Sequence, residues 1–202
     1  KIIIFNKIKK KFFIQNIRNK FDINTVFQIF GYEEYNLKKV LKNYEFFLDS
    51  HINNKKKLII DCGSNIGSSA RYFSEMYYKS KIIAIEAEKQ NYEFSKKNII
   101  KNNTTIQNNA VSSSKQIFVI QRTDDPRAHM VNYKKVKKRS NSKNSIVINE
   151  IVKRYNNYNP FIIKIDIEGA ECDLFKKNVQ WLNKFEIVII EIHDWMMPNK
   201  AI

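Results

Sequence analysis

Leu58-Ile59-Ile60-Asp61-Cys62-Gly63-Ser64-Asn65-Ile66-Gly67 is a short apolar run that ends in the pattern Asp-x-Gly-x-x-x-Gly. A buried strand that opens through glycines into a helix is how an α/β fold brings main chain close to a cofactor. Glycine carries no Cβ, so the turn can adopt positive φ and a ligand can pack against bare backbone. Unpaired N–H groups at the start of the following helix then face that ligand. The spacing is not the dinucleotide fingerprint Gly-x-Gly-x-x-Gly. It is a looser form, with an acidic residue ahead of the first glycine.

Outward from this turn, the chain alternates strand and helix from residue 57 onward. Strand-like runs cover 58–62, 81–86, 105–111, 116–121, 161–166 and 185–192, and helical patterns cover about 66–78, 89–101, 146–155 and 169–178. This alternation predicts an α/β fold with a doubly wound, mainly parallel sheet and helices on both faces. Segment 122–145 breaks the rhythm. It is polar, contains Asp124-Asp125-Pro126, ends in a Lys/Arg/Ser/Asn run and reads as a long surface insertion.

Upstream, residues 1–20 set apolar against basic positions at roughly helical spacing: Phe5, Ile8, Phe12, Phe13 and Ile17 against Lys7, Lys9, Lys10, Lys11 and Arg18. A basic amphipathic helix of this kind packs on the domain or lies on an anionic membrane. A second helical zone, about 33–49, carries an apolar stripe of Tyr35, Val40, Leu41, Tyr44, Phe47 and Leu48. It is suited to covering one end of the sheet or walling a substrate pocket. Residues 1–56 thus read as an N-terminal helical extension or lid, and 57–202 as the main domain.

At 202 residues the chain suits one domain with a proper core. No apolar run approaches the ~18 residues of a spanning helix, and Ile2-Ile3-Ile4-Phe5 is too short for a signal-peptide core. The chain opens on Lys1 rather than Met, as expected of one trimmed at its start. Cys62 and Cys172 sit in apolar segments without metal-type pairing, and read as small buried side chains of a reducing, cytoplasmic compartment. The net charge is +16, from thirty Lys and only six Arg. Nucleic-acid proteins that use forked phosphate contacts favour Arg. Solubility and an AT-rich coding sequence account for much of this charge, and an acidic partner is a weaker reading of it.

Glu86 closes the second strand, where an acidic side chain accepts hydrogen bonds from both hydroxyls of a ribose held over the glycine turn. At the end of the third strand, Asn108-Asn109-Ala110-Val111 offers a small backbone platform and a polar side chain for an adenine edge. In Ile162-Ile163-Lys164-Ile165-Asp166-Ile167-Glu168-Gly169-Ala170-Glu171 a strand delivers Asp166 and Glu168 to its C-terminal end, and Gly169-Ala170 opens a helix. Acidic groups there sit in the crevice where open α/β sheets bind ligands. They can orient an amine, bind a metal or take a proton; helix capping is the structural alternative for Glu168 or Glu171. The last strand ends Ile189-Ile190-Glu191-Ile192-His193-Asp194-Trp195, and period-two alternation puts Glu191 and His193 on one face. His193, beside carboxylates, is a general-base candidate because its pKa lies near neutrality.

Taken together, Asp61-Cys62-Gly63-Ser64-Asn65-Ile66-Gly67, Ile85-Glu86, Asn91-Tyr92-Glu93, Ala110-Val111-Ser112, Lys164-Ile165-Asp166-Ile167-Glu168-Gly169-Ala170-Glu171 and Glu191-Ile192-His193-Asp194 resemble the FkbM-type methyltransferase family over about residues 57–197. The resemblance implies a class I Rossmann-like fold that uses S-adenosyl-L-methionine to methylate a hydroxyl of a sugar, glycan or related natural product. By motif, Asp61, Gly63 and Gly67 would hold the methionine part, Glu86 the ribose and Asn109–Ala110 the adenine region, with Asn65 also in the cofactor site. Asp166 would line the transfer site, and His193 would act as the base, oriented by Asp166 or Glu191. No metal is assigned. Related sugar O-methyltransferases use a divalent cation, and Asp166, Glu191, His193 and Asp194 offer ligands for one. Two departures stand out. Ala87 follows the ribose-binding position where the family often has Pro, and the closing β-hairpin of similar proteins is incomplete here.

Two other readings compete. Tyr133-Lys134-Lys135-Val136-Lys137-Lys138-Arg139 and the overall charge suit a nucleic-acid methyltransferase. Amino-methylating enzymes of that kind place an Asn/Asp-Pro-Pro-aromatic turn after the fourth strand, however, and here Asn159-Pro160-Phe161 precedes it. The second is a non-catalytic cofactor-binding scaffold, against which the intact glycines, Glu86 and Asp166 speak.

Overall fold

The computed structural model describes residues 1–6, 10–40, 56–99, 102–125, 127, 129–133 and 143–193. Its centre is a five-stranded, all-parallel sheet of β3 (Lys57–Cys62), β4 (Lys81–Ile85), β5 (Thr104–Gln107), β9 (Asn159–Ile165) and β10 (Ile187–Ile190). The spatial order is β10-β9-β3-β4-β5. Beta-branched residues fill β3, β4 and β9, which are buried along nearly their whole length; β5 and β10 form the edges and are half-exposed. Such continuous apolar runs belong to a parallel sheet covered on both faces.

Alternate residues supply the two layers. Leu58, Ile60, Ile83, Ile85, Ile163 and Ile165 pack with Ile148, Ile151 and Trp181 on one face. Ile59, Ile82, Ala84 and Ile162 pack with Phe73, Tyr72 and Tyr35 on the other. Helices α3 (Ser68–Met76), α4 (Lys89–Ser95) and α5 (Ile148–Arg154) link the strands. From β3 the chain winds outward through β4 and β5, then returns to β9 on the other side of β3. The direction of winding reverses between β3 and β9, so a crevice opens beyond their carboxyl ends. One irregularity marks this pair: Leu58 aligns with Pro160 but Ile59 with Ile162, so Phe161 is an extra residue in β9.

Several expectations give way to the structure. The helix read over residues 1–20 is instead an antiparallel hairpin of β1 (Ile2–Asn6) and β2 (Lys11–Gln15). Isoleucine and phenylalanine runs favour strands, and the register pairs Ile4 with Phe13 and Ile2 with Gln15 on the face that meets the domain. Phe13 meets Phe30 edge to face beneath the Arg71 guanidinium, and Gln15 Nε2 donates to Ser68 Oγ at 3.0 Å. Helix α1 (Lys20–Val26) follows, capped by Asn19 and continued by a π-helical turn over Phe27–Gly31. The second helical zone is represented by α2 (Leu37–Val40), and the remainder of 33–49 lies outside the described residues.

The run 116–121 does not join the parallel sheet. It forms β6 (Ile117–Gln121), paired antiparallel with β7 (Met130–Tyr133) and β8 (Lys143–Asn144) in a separate sheet ordered β7-β6-β8. The expected surface insertion therefore contributes two strands. The expected helix 169–178 contracts to α6 (Glu171–Leu174), followed by a 3₁₀ turn over Val179–Lys184. Lys134–Arg139 and the chain beyond His193, including Asp194 and the start of any closing hairpin, lie outside the described residues. Among the described residues, no helix is long and apolar enough to cross a membrane.

Candidate active site

A cavity of ≈ 380 Å³ lies at the carboxyl end of the sheet and brings Gly63, Asn65, Glu86, Asp166 and His193 together on its wall. That volume suits a cofactor-sized ligand. Most of the positions read from sequence thus converge, but Asp61 and Gly67 do not reach the wall.

The glycines serve internal packing first. A Cβ on Gly63, whose φ is +79°, would lie 1.7 Å from the Asp166 carbonyl oxygen, so only glycine lets the end of β3 pass the end of β9. A Cβ on Gly67, at φ +82°, would press on Ile99 and Ser95. Gly67 lies behind the wall, where it seats α3 against α4. Asp61 is also behind the wall and fully buried: its Oδ2 accepts from Ser69 Oγ at 2.6 Å, and its Oδ1 stands 3.5 Å from Lys164 Nζ. Asp61 and Gly67, both expected to hold a methionine moiety, therefore do not line the cavity, whereas Gly63 does. Ser64 and Asn65 line it too, and Ser64 Oγ and Asn65 Oδ1 are buried acceptors without a protein hydrogen-bond partner. Buried polar atoms of this kind call for a ligand or water.

Glu86 reaches the cavity with its rotamer fixed. Oε2 accepts the Asn65 N–H and Oε1 the Glu88 N–H, both at 2.8 Å. An ionised carboxylate has about four lone-pair sites, so capacity for two hydroxyl donors is left. Burial pushes the Glu86 pKa up to about 7, against the pull of those two N–H groups. Asn108 braces the loop behind it, donating from Nδ2 to the Glu86 and Ala87 carbonyls. Asn109 and Ala110 also line the cavity, with the Asn109 amide donating to the Asn144 carbonyl at 2.9 Å.

The sequence reading missed Lys164. Its ammonium is buried, donates to the Gly63 carbonyl at 2.8 Å, and pairs with Asp166 Oδ2 at 2.9 Å as well as with Asp61. Burial opposes its charge, but Asp166, Tyr35 and Asp61 outweigh burial and hold the pKa well above the usual lysine value. A lone lysine in the apolar run Phe161-Ile162-Ile163-Lys164-Ile165 was the available signal, and Asp61 is its cross-strand partner.

Beyond β9 the backbone turns through two left-handed residues, Glu168 at φ +52° and Gly169 at φ +86°. This turn sets Asp166, Glu168 and Glu171 around the buried imidazole of His193. The carboxylate hydrogen-bonded to the ring is Glu171, while Asp166 and Glu191, expected to orient it, stand farther off. Glu171 Oε1 stands 3.1 Å from His193 Nδ1 and also accepts the Ile167 N–H at 3.1 Å. The other ring nitrogen, Nε2, faces Glu168 at 3.4 Å, Asp166 at 3.7 Å and Glu191 at 3.8 Å. Burial disfavours the imidazolium, but the Glu171 hydrogen bond and the Glu168, Glu171 and Asp166 charges prevail and raise the pKa to about 9. Glu168 is itself pushed up to about 7, chiefly by burial. Glu191, the most exposed member, completes a set with Asp166 and His193 whose donor atoms lie within 4.8 Å of one another, close enough to share a divalent cation.

The remaining wall comes from the N-terminal region, expected as a lid or pocket wall, and from the insertion. Thr25, Gln28, Glu34 and Tyr35 line it from the N-terminal region, and Arg127 and His129 from the insertion. The Arg127 guanidinium is held by Asp125 and stacks over Phe21, which joins these two regions across the cavity.

Neither a curated protein nor a solved structure shows significant similarity to this chain. The model of the methyltransferase FkbM domain matches residues 61–201, from the buried aspartate of the glycine turn through the histidine-bearing strand end. With a parallel sheet whose switch point gathers the motif residues on one cavity, the chain belongs to the FkbM methyltransferase family.

Proposed function

We propose that the protein is a class I Rossmann-like methyltransferase that moves a methyl group from S-adenosyl-L-methionine to a hydroxyl of a sugar, glycan or related natural product. The observation that carries this reading is the convergence of the glycine turn, Glu86 and the Asp166–His193 cluster on a single cavity. The residues present fit the cofactor: Glu86 offers acceptors for a ribose diol, and Ser64 and Asn65 offer buried, unpartnered acceptors beside it. The carboxylates around His193 suit a ligand that carries positive charge. The bound cofactor would supply an electrophilic methyl on a sulfonium.

The chain's own residues then do two things. The rigid wall holds acceptor and donor at attack distance, which can contribute ~7–11 kcal/mol to rate acceleration. His193 Nε2, with Nδ1 held by Glu171, takes the proton of the attacking hydroxyl, a contribution of roughly 10²–10⁴-fold. With a pKa of about 9 the imidazole is protonated in the resting site at neutral pH. A cation placed among the same carboxylates disfavours the imidazolium, so cofactor binding would lower that pKa and ready the base. His193→Ala should cut kcat ~10²–10⁴-fold while calorimetry records S-adenosyl-L-methionine affinity retained or tightened, because the competing imidazolium is gone. Full activity in that variant removes the base assignment, and absence of binding heat with the unmodified protein removes the cofactor reading.

A second mechanism has its own support, because Asp166, Glu191 and His193 could jointly hold a divalent cation that acidifies the hydroxyl. Activity abolished by a chelator and restored by Mg²⁺ or Mn²⁺ would favour it over the base mechanism.

A further inference from the structure

The hairpin divides its side chains by face. In the antiparallel register Ile3 lies opposite Ile14 and Phe5 opposite Phe12, and all four point away from the domain. They are 70%, 53%, 47% and 71% exposed respectively, and the two phenyl rings touch at 4.8 Å between centroids. The opposite face, through Phe13 and Gln15, is anchored on Phe30, Arg71 and Ser68. Asn98 and Asn91 add further ties to Asn16 and Arg18 just beyond β2. The outer face is thus presented by a fixed support rather than by a loose end.

Charge surrounds this apolar strip. Lys1, Lys10 and Lys11 are exposed, and the sequence joining the strands, Lys7-Ile8-Lys9-Lys10, is basic as well. No acidic residue occurs in the chain before Asp22, and Asp22 is itself buried against Arg18. We infer that the outer face of this hairpin docks on an anionic lipid bilayer, with Ile3, Phe5, Phe12 and Ile14 entering the headgroup boundary and the lysines meeting lipid phosphates. Apolar side chains flanked by lysines are the combination that interfacial binding rewards.

A second copy of the chain is the poorer occupant. Four partly exposed side chains offer roughly 400 Å², about half of what each partner contributes to a stable protein interface. Two chains of net charge +16 also repel. The inference rests on the hairpin alone and stands apart from the methyl-transfer reading.

Vesicle flotation of the full chain tests it. The protein should float with vesicles of phosphatidylcholine and phosphatidylglycerol, far less with phosphatidylcholine alone, and less again as salt rises. Phe5→Ser/Phe12→Ser should weaken binding about tenfold or more. Lys1→Glu/Lys11→Glu, which alters only exposed side chains, should weaken it roughly fivefold or more per lysine. Three results would overturn the inference: no flotation with the anionic vesicles, binding undiminished in both variants, or a dimer in sedimentation velocity that Phe5→Ser/Phe12→Ser abolishes.

Discussion

At the carboxyl end of the parallel sheet, Asp61, Glu86, Lys164 and His193 are charged or titratable groups shut away from solvent, whereas on the hairpin Ile3, Phe5, Phe12 and Ile14 stand in it. The two regions depart from ordinary sorting by polarity in opposite senses, and their neighbours behave differently as a result. Each buried group at the sheet end is held by another: Lys164 by Asp61 and Asp166, Glu86 by two backbone N–H groups, His193 by Glu171. Removing one leaves a partner uncompensated in a medium of low dielectric. The hairpin's outer residues depend mainly on one another, so removing one strands no buried partner. Mutual dependence therefore marks the site that fixes geometry, and independence marks a surface free to meet something outside the molecule.

This contrast can be broken most severely at Gly63. Gly63→Ala puts a methyl group against the Asp166 carbonyl at a positive φ and should cost more than about 4 kcal/mol in urea unfolding. Little change would mean that the β3 and β9 ends can part without harm. Lys164→Met should come next, with about 3–5 kcal/mol lost because buried Asp61 and half-buried Asp166 lose their cation. A near-neutral result would show that Asp61 is readily protonated in place, a direction in which burial already pushes it.

Glu171→Gln sharpens the comparison within the site. Losing that charge should lower the His193 pKa from about 9 toward its ordinary 6.5. The rising limb of kcat/KM, which reports the free enzyme's base, should then move to lower pH. The stability sign agrees. A raised histidine pKa contributes stability fully present below 6.5 and lost as pH climbs through about 9, and the variant should flatten stability over that window. An unshifted limb would assign the base elsewhere. At the small end, Phe5→Ser/Phe12→Ser should change unfolding free energy by no more than ~0.5 kcal/mol per site. A larger loss would mean that these rings support the fold.

The central strands were legible because burial on both faces leaves a continuous apolar run, and the glycine turn was legible because few other sequences reverse direction so tightly. Glu86, Asp166 and His193 could be placed together because strand ends in a parallel sheet share one edge. The hairpin escaped because Phe5, Ile8 and Phe12 happen to match a helical stripe, while the true period of two is visible only once Phe13 and Gln15 have a surface to meet. The antiparallel sheet escaped because β7 is only four half-exposed residues and β8 only two exposed polar ones, too short for a pattern to betray them. The orienting role of Glu171 depends on a left-handed turn that folds it back on His193, and no periodicity encodes that contact.

The extra residue at Phe161 carries a last consequence. Had β9 continued in the alignment that sets Leu58 beside Pro160, Asp61 would face Ile163 and Cys62 would face Lys164. The slip hands the lysine to the aspartate instead. A local imperfection at the start of a strand thus acts as the vernier that aligns the charged machinery at its far end. A graft that moved Lys164 through Glu171 into another scaffold without this offset would deliver the motif one notch out of phase.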